Sequence, residues 1–394
     1  MAAGNGSLSF CFVFCPILSD GYFRDMIRFG FDSSSVVLSS DMPDIHIFTD
    51  HDFVEFRFLA GEVPLLEGRY YAFNGEAVIS DLASLTELFL SGSADSNFFV
   101  FTIEAFFGDD KTDFVSRDLP VLYCDKAFGA IDTSAWLREN FLTLSPLRRI
   151  APDSFINVSW YASQRESVAF DIYATFLDDK EQRGTYHYRY AGNGQIANVD
   201  GIYHHSIFLS EIRDKVLQAK SLDAVTLQAV TVRCGNRSAT FFIDPELSLS
   251  KPFYYLNCFG VVEHISLECT TTEKTKTDSS IALLGRTSSQ YDISISKDYE
   301  VESAHITFDE CVQLEQLLTS SSVRIPAGTE ENWYERDFDV LNKILITDYS
   351  AEFNNSDDKL NSVKFTWRFK DNHPKVVPPS TPAIFNDSFN PTFS

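Results

Sequence analysis

Near the end of the chain, Val363, Phe365, Trp367 and Phe369 alternate with Lys364, Thr366, Arg368 and Lys370. That period of two belongs to a strand with one dry and one wet face, so this stretch commits the chain to an antiparallel sheet over a core. Residues 343–353 read as its partner strand, joined to it by a polar turn over 354–359. Upstream, residues 299–306 have strand composition. Thr307-Phe308-Asp309-Glu310 then fits a capping box, in which the Thr hydroxyl accepts an orphan N–H and the Glu reaches back to the cap. Phe308, Cys311, Val312, Leu314, Leu317 and Leu318 recur at helical spacing. They predict a helix of about three turns with one buried face, which Ser320-Ser321-Ser322 ends.

The same strand chemistry runs through the rest. The chain has 36 Phe against 3 Met, and Phe, Tyr, Val, Ile and Thr dominate its apolar stretches, a composition that suits pleated sheets. Short strands are predicted at 7–14, 36–38, 44–49, 54–59, 68–73, 97–107, 121–124, 155–161, 168–176, 185–190, 225–234, 240–243, 261–272 and 279–284. Short helices are predicted at 80–90, capped by Ser80, and at 133–141, with Trp136, Leu137, Phe141 and Leu142 inward. Residues 206–221 fit a helix or the end of a strand. Residues 145–152 carry Arg148-Arg149 between two prolines and read as a linker or domain edge. The fold expected is mainly β, with two or more antiparallel β-sandwich-like modules, a few short helices and an α+β C-terminal module. The segments expected are an N-terminal β-rich domain over 1–147, a middle sandwich-like domain over 148–260, a strand–helix–hairpin module over 261–373, and an extended arm over 374–394.

Charge and cysteine narrow the function classes. Against 32 Lys and Arg stand 56 Asp and Glu, a formal net charge of −24. That balance argues against nucleic acid or an anionic membrane surface as partner and favours a basic one. Seven cysteines are scattered without a C-x-x-C pair, so free thiols and a reducing compartment are expected rather than zinc. Residues 8–18 are apolar, but no Lys or Arg precedes them and Cys15-Pro16 interrupts them, which does not fit a signal peptide. No apolar run approaches the ~20 residues of a membrane span.

No dinucleotide, Walker A, nucleophile-elbow or zincin motif occurs, so neither a catalytic site nor a cofactor is expected. His46, His51 and Asp52 form a cluster that fits either a metal site or a polar loop between two strands, while His204-His205 has no third metal ligand at a useful spacing. Asp357-Asp358 has the composition of a calcium loop without its spacing. Two surfaces remain. Tyr186, Tyr188 and Tyr190 share one face of a strand, with His187 and Arg189 on the other. They are either a platform that stacks on glycans or the core face of a sandwich. In the tail, Pro378-Pro379 is extended, and Phe385, Phe389 and Phe393 recur every four residues, like the anchors of an arm that docks on a partner.

The pattern Glu300-Val301-Glu302-Ser303-Ala304, Leu314, Leu317-Leu318-Thr319-Ser320, Ile346-Thr347-Asp348 and Leu360-Asn361-Ser362-Val363-Lys364-Phe365-Thr366-Trp367-Arg368-Phe369 resembles uncharacterised structural proteins. These are β-rich proteins that phages and prophages of Bacteroidetes carry with their tail genes. The match covers roughly the last third of the chain. The succession of β modules is also similar to that of distal tail proteins, which form rings at the tail tip. The resemblance implies a virion component without enzymatic activity, assembled in the host cytoplasm as a ring of copies and in contact with other tail proteins. A receptor-binding protein that recognises a cell-surface glycan is the alternative.

Overall fold

The computed structural model describes residues 26–29, 35–92, 97–107, 113–129, 131–166, 169–190, 197, 199–250, 252–284, 287–326, 338, 341–352 and 361–370. Its first elements are β1 (Met26–Phe29), β2 (Val37–Leu38), β3 (Ile45–Phe48), β4 (Phe53–Ala60), β5 (Val63–Tyr71), β6 (Glu76–Ile79), α1 (Leu82–Gly92), β7 (Phe98–Phe107) and β8 (Asp113–Leu122). Next come α2 (Thr133–Glu139), β9 (Leu147–Ile150), β10 (Phe155–Ala162), β11 (Phe170–Asp178), β12 (Arg183–Tyr190), β13 (Gly201–Phe208) and α3 (Leu209–Lys220). The hairpin of β14 (Val225–Cys234) and β15 (Arg237–Ile243) leads to β16 (Pro252–Leu256), β17 (Val262–Ser266), β18 (Cys269–Leu284) and β19 (Thr287–Ser303). The chain closes with α4 (Phe308–Thr319), β20 (Val323–Ile325), β21 (Asn342–Glu352) and β22 (Ser362–Phe369). The protein is mainly β, as its composition requires. The strands predicted at 7–14 and the arm at 374–394 lie outside the described residues.

Two compact units divide the chain, and both are discontinuous: residues 1–35, 42–85 and 100–120 form the first, and residues 36–41, 86–99 and 121–394 the second. In the first unit, β4 and β7 alternate strictly. Val54, Phe56, Phe58 and Ala60 are buried, as are Phe101, Ile103, Ala105 and Phe107, and the Phe58 and Phe101 rings stack at 5.0 Å. The wet face carries cross-strand ion pairs from Arg57 to Glu67 and from Arg69 to Glu55, each at 2.9 Å. The helix α1 begins at Leu82, so the cap position falls on Asp81, at φ +62°, one residue beyond the predicted Ser80.

The second unit holds three sheets: β12-β11-β14-β15-β9, β10-β13, and β17-β16-β20-β21-β22-β19-β18. The first two share one core, in which Ile172, Ala174, Val230, Val232 and Phe241 meet Ile156, Val158, Trp160 and Ile207 under α3. This is a sandwich-like packing of two layers, antiparallel except for the β15–β9 pair. The ambiguous stretch at 206–221 is both of its readings in turn, since β13 ends at Phe208 and α3 starts at Leu209. In the seven-stranded sheet Val363, Phe365 and Trp367 are buried as their alternation predicts. They share a core with Leu314 and Leu317 of α4, whose capping box is complete. Phe308, counted above in the buried stripe, is instead exposed, while Gln313 and Gln316 are buried. Gln316 Oε1 accepts the Cys258 N–H at 3.3 Å.

One expectation is overturned. Residues 145–152 are not a linker, because they contain β9, which pairs in parallel with β15. A pair of arginines suggests solvent, yet Arg148 is only 5% exposed. Its guanidinium donates to Glu263 Oε1 at 2.7 Å, to Thr143 Oγ1 at 2.6 Å and to the Ser145 carbonyl at 2.8 Å. Glu263 also accepts from the Tyr255 hydroxyl and from Asn257 Nδ2. Arg149 forks onto both Glu310 oxygens and onto Asp244. The partners lie far along the chain, which is why local composition pointed the other way.

Beside this network His264 is buried, with Ser154 Oγ 3.2 Å from its Nε2. Burial and the Arg148 charge push its pKa down to about 3. Burial lowers His204 and His205 as well. A folded-state pKa below the unfolded value means that the unfolded chain takes up the proton first. Stability is therefore complete above about pH 6.5 and declines as pH falls toward 3, with a limiting slope of about 1.4 kcal/mol per unit for each group. Urea unfolding between pH 7 and 5 is expected to show this loss, and His264→Gln to flatten it by up to one proton. A wild-type stability that does not change over that range contradicts the assignment.

Candidate functional site

The predicted site residues fall in several places. Tyr186, Tyr188 and Tyr190 lie on β12, half-buried against the sandwich core. Lys215 Nζ of α3 sits 4.6 Å over the Tyr188 ring and 5.3 Å over Tyr190, so the helix occupies those ring faces. Burial, with Glu211 nearby, raises the Tyr188 phenol above its ordinary pKa. Opposite them on β11, Phe176 presses its ring toward Gly184, where a Cβ would come within 2.4 Å, so any larger residue there would displace that ring. His46 Nδ1 lies 2.7 Å from Glu76 Oε1, while His204 Nδ1 meets Ser159 Oγ at 2.7 Å and His205 stacks on Phe170. Among the described residues no group of three or more His, Cys, Asp or Glu is placed to hold a metal ion. Pro378, Pro379, Phe385, Phe389, Phe393 and Asp357-Asp358 lie outside the described residues.

The most unusual surface is one the sequence reading broke into pieces. β18 and β19 form an antiparallel hairpin in register from Cys269↔Ser303 to Leu284↔Thr287, with a bulge between Asp278 and Ser280. On its other side β19 pairs with β22 only from Tyr299 to Glu302, and β18 is the last strand of the sheet. Among the described residues the ribbon therefore continues beyond Glu273 and Tyr299 with two strands alone, for about 40 Å at the usual rise per residue. A free two-stranded ribbon is marginal in water, so its root needs anchoring.

Aromatic stacking and diagonal ion pairs supply that anchor. Tyr299 stacks on Trp367 at 4.2 Å, and Phe369 meets Tyr299 edge-on at 5.8 Å. Lys297 pairs with Glu273 at 2.6 Å and Lys276 with Asp298 at 3.3 Å. Glu300 is held between Lys274 and Lys364. Hydrogen bonds from those two lysines pull the Glu300 carboxyl down to about 2. Further out the ribbon exposes Ile281 (71%) and Ile295 (56%), large apolar side chains of the kind that anchor a partner. The run Thr270-Thr271-Thr272, Thr275 and Thr277 was the available signal, because threonine is a strand former. The strands predicted at 261–272 and 279–284 left out residues 273–278, where Lys, Glu and Asp interrupt the threonines.

No protein-family model matches the chain, and no curated protein matches it. Among solved structures, the calcium-binding domain CBD12 of CALX1.1 is similar at 12% identity and a TM-score of 0.16, over 52% of this chain and 77% of that one. CBD12 from CALX1.2 is similar at 11% and 0.16, over 50% and 75%. Tripeptidyl peptidase 2 (TPP II) is similar at 10% and 0.19, over 88% of this chain and 32% of that one. Likeness at this level carries no argument about fold or function.

The ion pairs at the root of the ribbon set a testable pH response. A carboxylate held below its unfolded pKa stabilises above that value and stops doing so as pH falls through the folded one. Backbone amide exchange in residues 273–298, corrected for intrinsic rates, is thus expected to speed up between about pH 4.5 and 2. Glu300→Gln is expected to produce that faster exchange already at neutral pH. Exchange unaffected by the substitution contradicts a role for Glu300 in holding the ribbon.

Proposed function

We propose that this protein is a structural component of a phage virion, in the tail or baseplate, assembling with copies of itself in a ring and with neighbouring tail proteins. In this reading it carries out no chemistry of its own. The observation that supports it is the β18–β19 ribbon. A projecting two-stranded arm adds little to the core it leaves, since the exposed Ile281 and Ile295 lie outside the buried cluster beneath α4. It offers a neighbour what a sheet edge always offers, a row of backbone donors and acceptors, together with Ile281 and Ile295. Five cysteines among the described residues are thiols outside any disulfide, four of them buried, which suits assembly in a reducing cytoplasm. The resemblance over the last third of the chain points the same way.

The test is solution mass by light scattering for three chains: the full protein, a chain ending at Asp371, and a chain whose residues 276–296 are replaced by an Asn-Gly turn. The full protein is expected to assemble, and the shortened ribbon to give a folded monomer with the thermal midpoint of the parent. Loss of assembly on truncation at Asp371 would add the Phe385, Phe389 and Phe393 segment as a second arm. A monomeric full protein at micromolar concentration contradicts the proposal.

A further inference from the structure

The outer face of the sheet β12-β11-β14-β15-β9 runs against the charge of the whole molecule. Register places Arg189 opposite Asp171 and His187 opposite Tyr173 across β12 and β11, and Arg233 opposite Asp171 across β11 and β14. Arg183 extends the same row at the start of β12, with threonines between. Arg183, His187, Arg189 and Arg233 are all exposed. Asp171 is the one acid among these positions, and it lies 3.2 Å from His187. Among the described residues the three arginines have no carboxylate within ion-pair distance. In a chain of net charge −24, this is a local basic surface.

Its aromatic ring is committed in a particular way. The Tyr173 and His187 rings stack at 4.4 Å with an interplanar angle of 19°, and the Arg233 guanidinium lies 5.2 Å from the Tyr173 centroid on the neighbouring strand. Faces turned toward one another leave edges for a partner, and those edges carry N–H and O–H donors. A sugar needs an open ring face. A protein surface rich in carboxylates needs donors and rigid Tyr and Arg anchors, which this face provides.

We propose that this face binds the acidic surface of a second copy of the same chain. The inference rests on the assembly reading above and names the contact it would use. Charge complementarity selects the occupant, because two bodies of net charge −24 repel unless a local basic patch meets acid. The same charges set the symmetry. A two-fold pairing of this face with itself would put arginine against arginine, so the contact must join unlike surfaces, and repeated unlike contacts close into a ring when the rotation between copies closes.

Sedimentation of the full chain at about 50 mM and about 500 mM NaCl tests this, since salt at the higher level cuts the screening length severalfold. Wild type is expected to assemble at low salt and to lose mass at high salt. Arg183→Glu/Arg189→Glu/Arg233→Glu is expected to be monomeric at both, with the wild-type thermal midpoint because all three side chains are exposed. If that variant does not fold, Arg183→Gln/Arg189→Gln/Arg233→Gln decides in its place, with the same expectation. Retention of wild-type mass by the folded variant overturns the proposal. If the chain with the shortened ribbon is then monomeric, the assembly reading stands without this contact. A wild type that is monomeric at every salt concentration overturns both.

Discussion

The second unit depends on how two arginines are held at one end of the sandwich. Arg148 and Arg149 are consecutive on β9, and because strand side chains alternate they point to opposite faces. One reaches Glu263 on β17, the other Glu310 on α4. Two neighbouring residues of the five-stranded sheet thereby tie it to the seven-stranded sheet and to the helix that covers it. A buried ion pair adds little net stability over a well-packed apolar alternative, but removing one partner costs roughly 3–5 kcal/mol. The pair belongs to a network in which Glu263 accepts from three donors, Arg148, Tyr255 and Asn257. Its value is geometric: it specifies which sheet packs on which.

Everything beyond this clamp follows from strands outrunning their partners. β19 is long, but β22 accompanies it for only a few residues, and the excess becomes the ribbon. β12 ends its sheet, so its tyrosines turn inward under α3 while its arginines and histidine face water. Charged side chains on an edge strand blunt unwanted pairing, and the same charges define a surface with its own preference for acid. The ribbon and the basic face are thus two consequences of sheet edges, one expressed through backbone and one through side chains.

What could be read from sequence was what neighbours in sequence decide. The capping box at Thr307 and Glu310 and the alternation from Val363 to Phe369 both rest on residues a few positions apart, and each appears in the fold. The reading failed where a distant partner decides. Arg148 lies 115 residues from Glu263 and Arg149 lies 161 from Glu310, so nothing local marked β9 as buried. Residues 269–284 were split between strands predicted at 261–272 and 279–284, although each of Glu273, Lys274 and Lys276 is matched across the ribbon. Phe308 was placed in the core by its hydrophobicity, but it begins its helix on the wet side.

The claim that orders the account is that the Arg148–Glu263 pair acts as one unit within the buried network. A double-mutant cycle by urea unfolding, with Arg148→Met, Glu263→Met and both together, measures this directly. The account predicts that each single change costs roughly 3–5 kcal/mol, because each leaves one buried charge without its counter-charge, and that the double change costs less than either, giving a coupling of several kcal/mol. Single losses that add to the double within about 0.5 kcal/mol would contradict it.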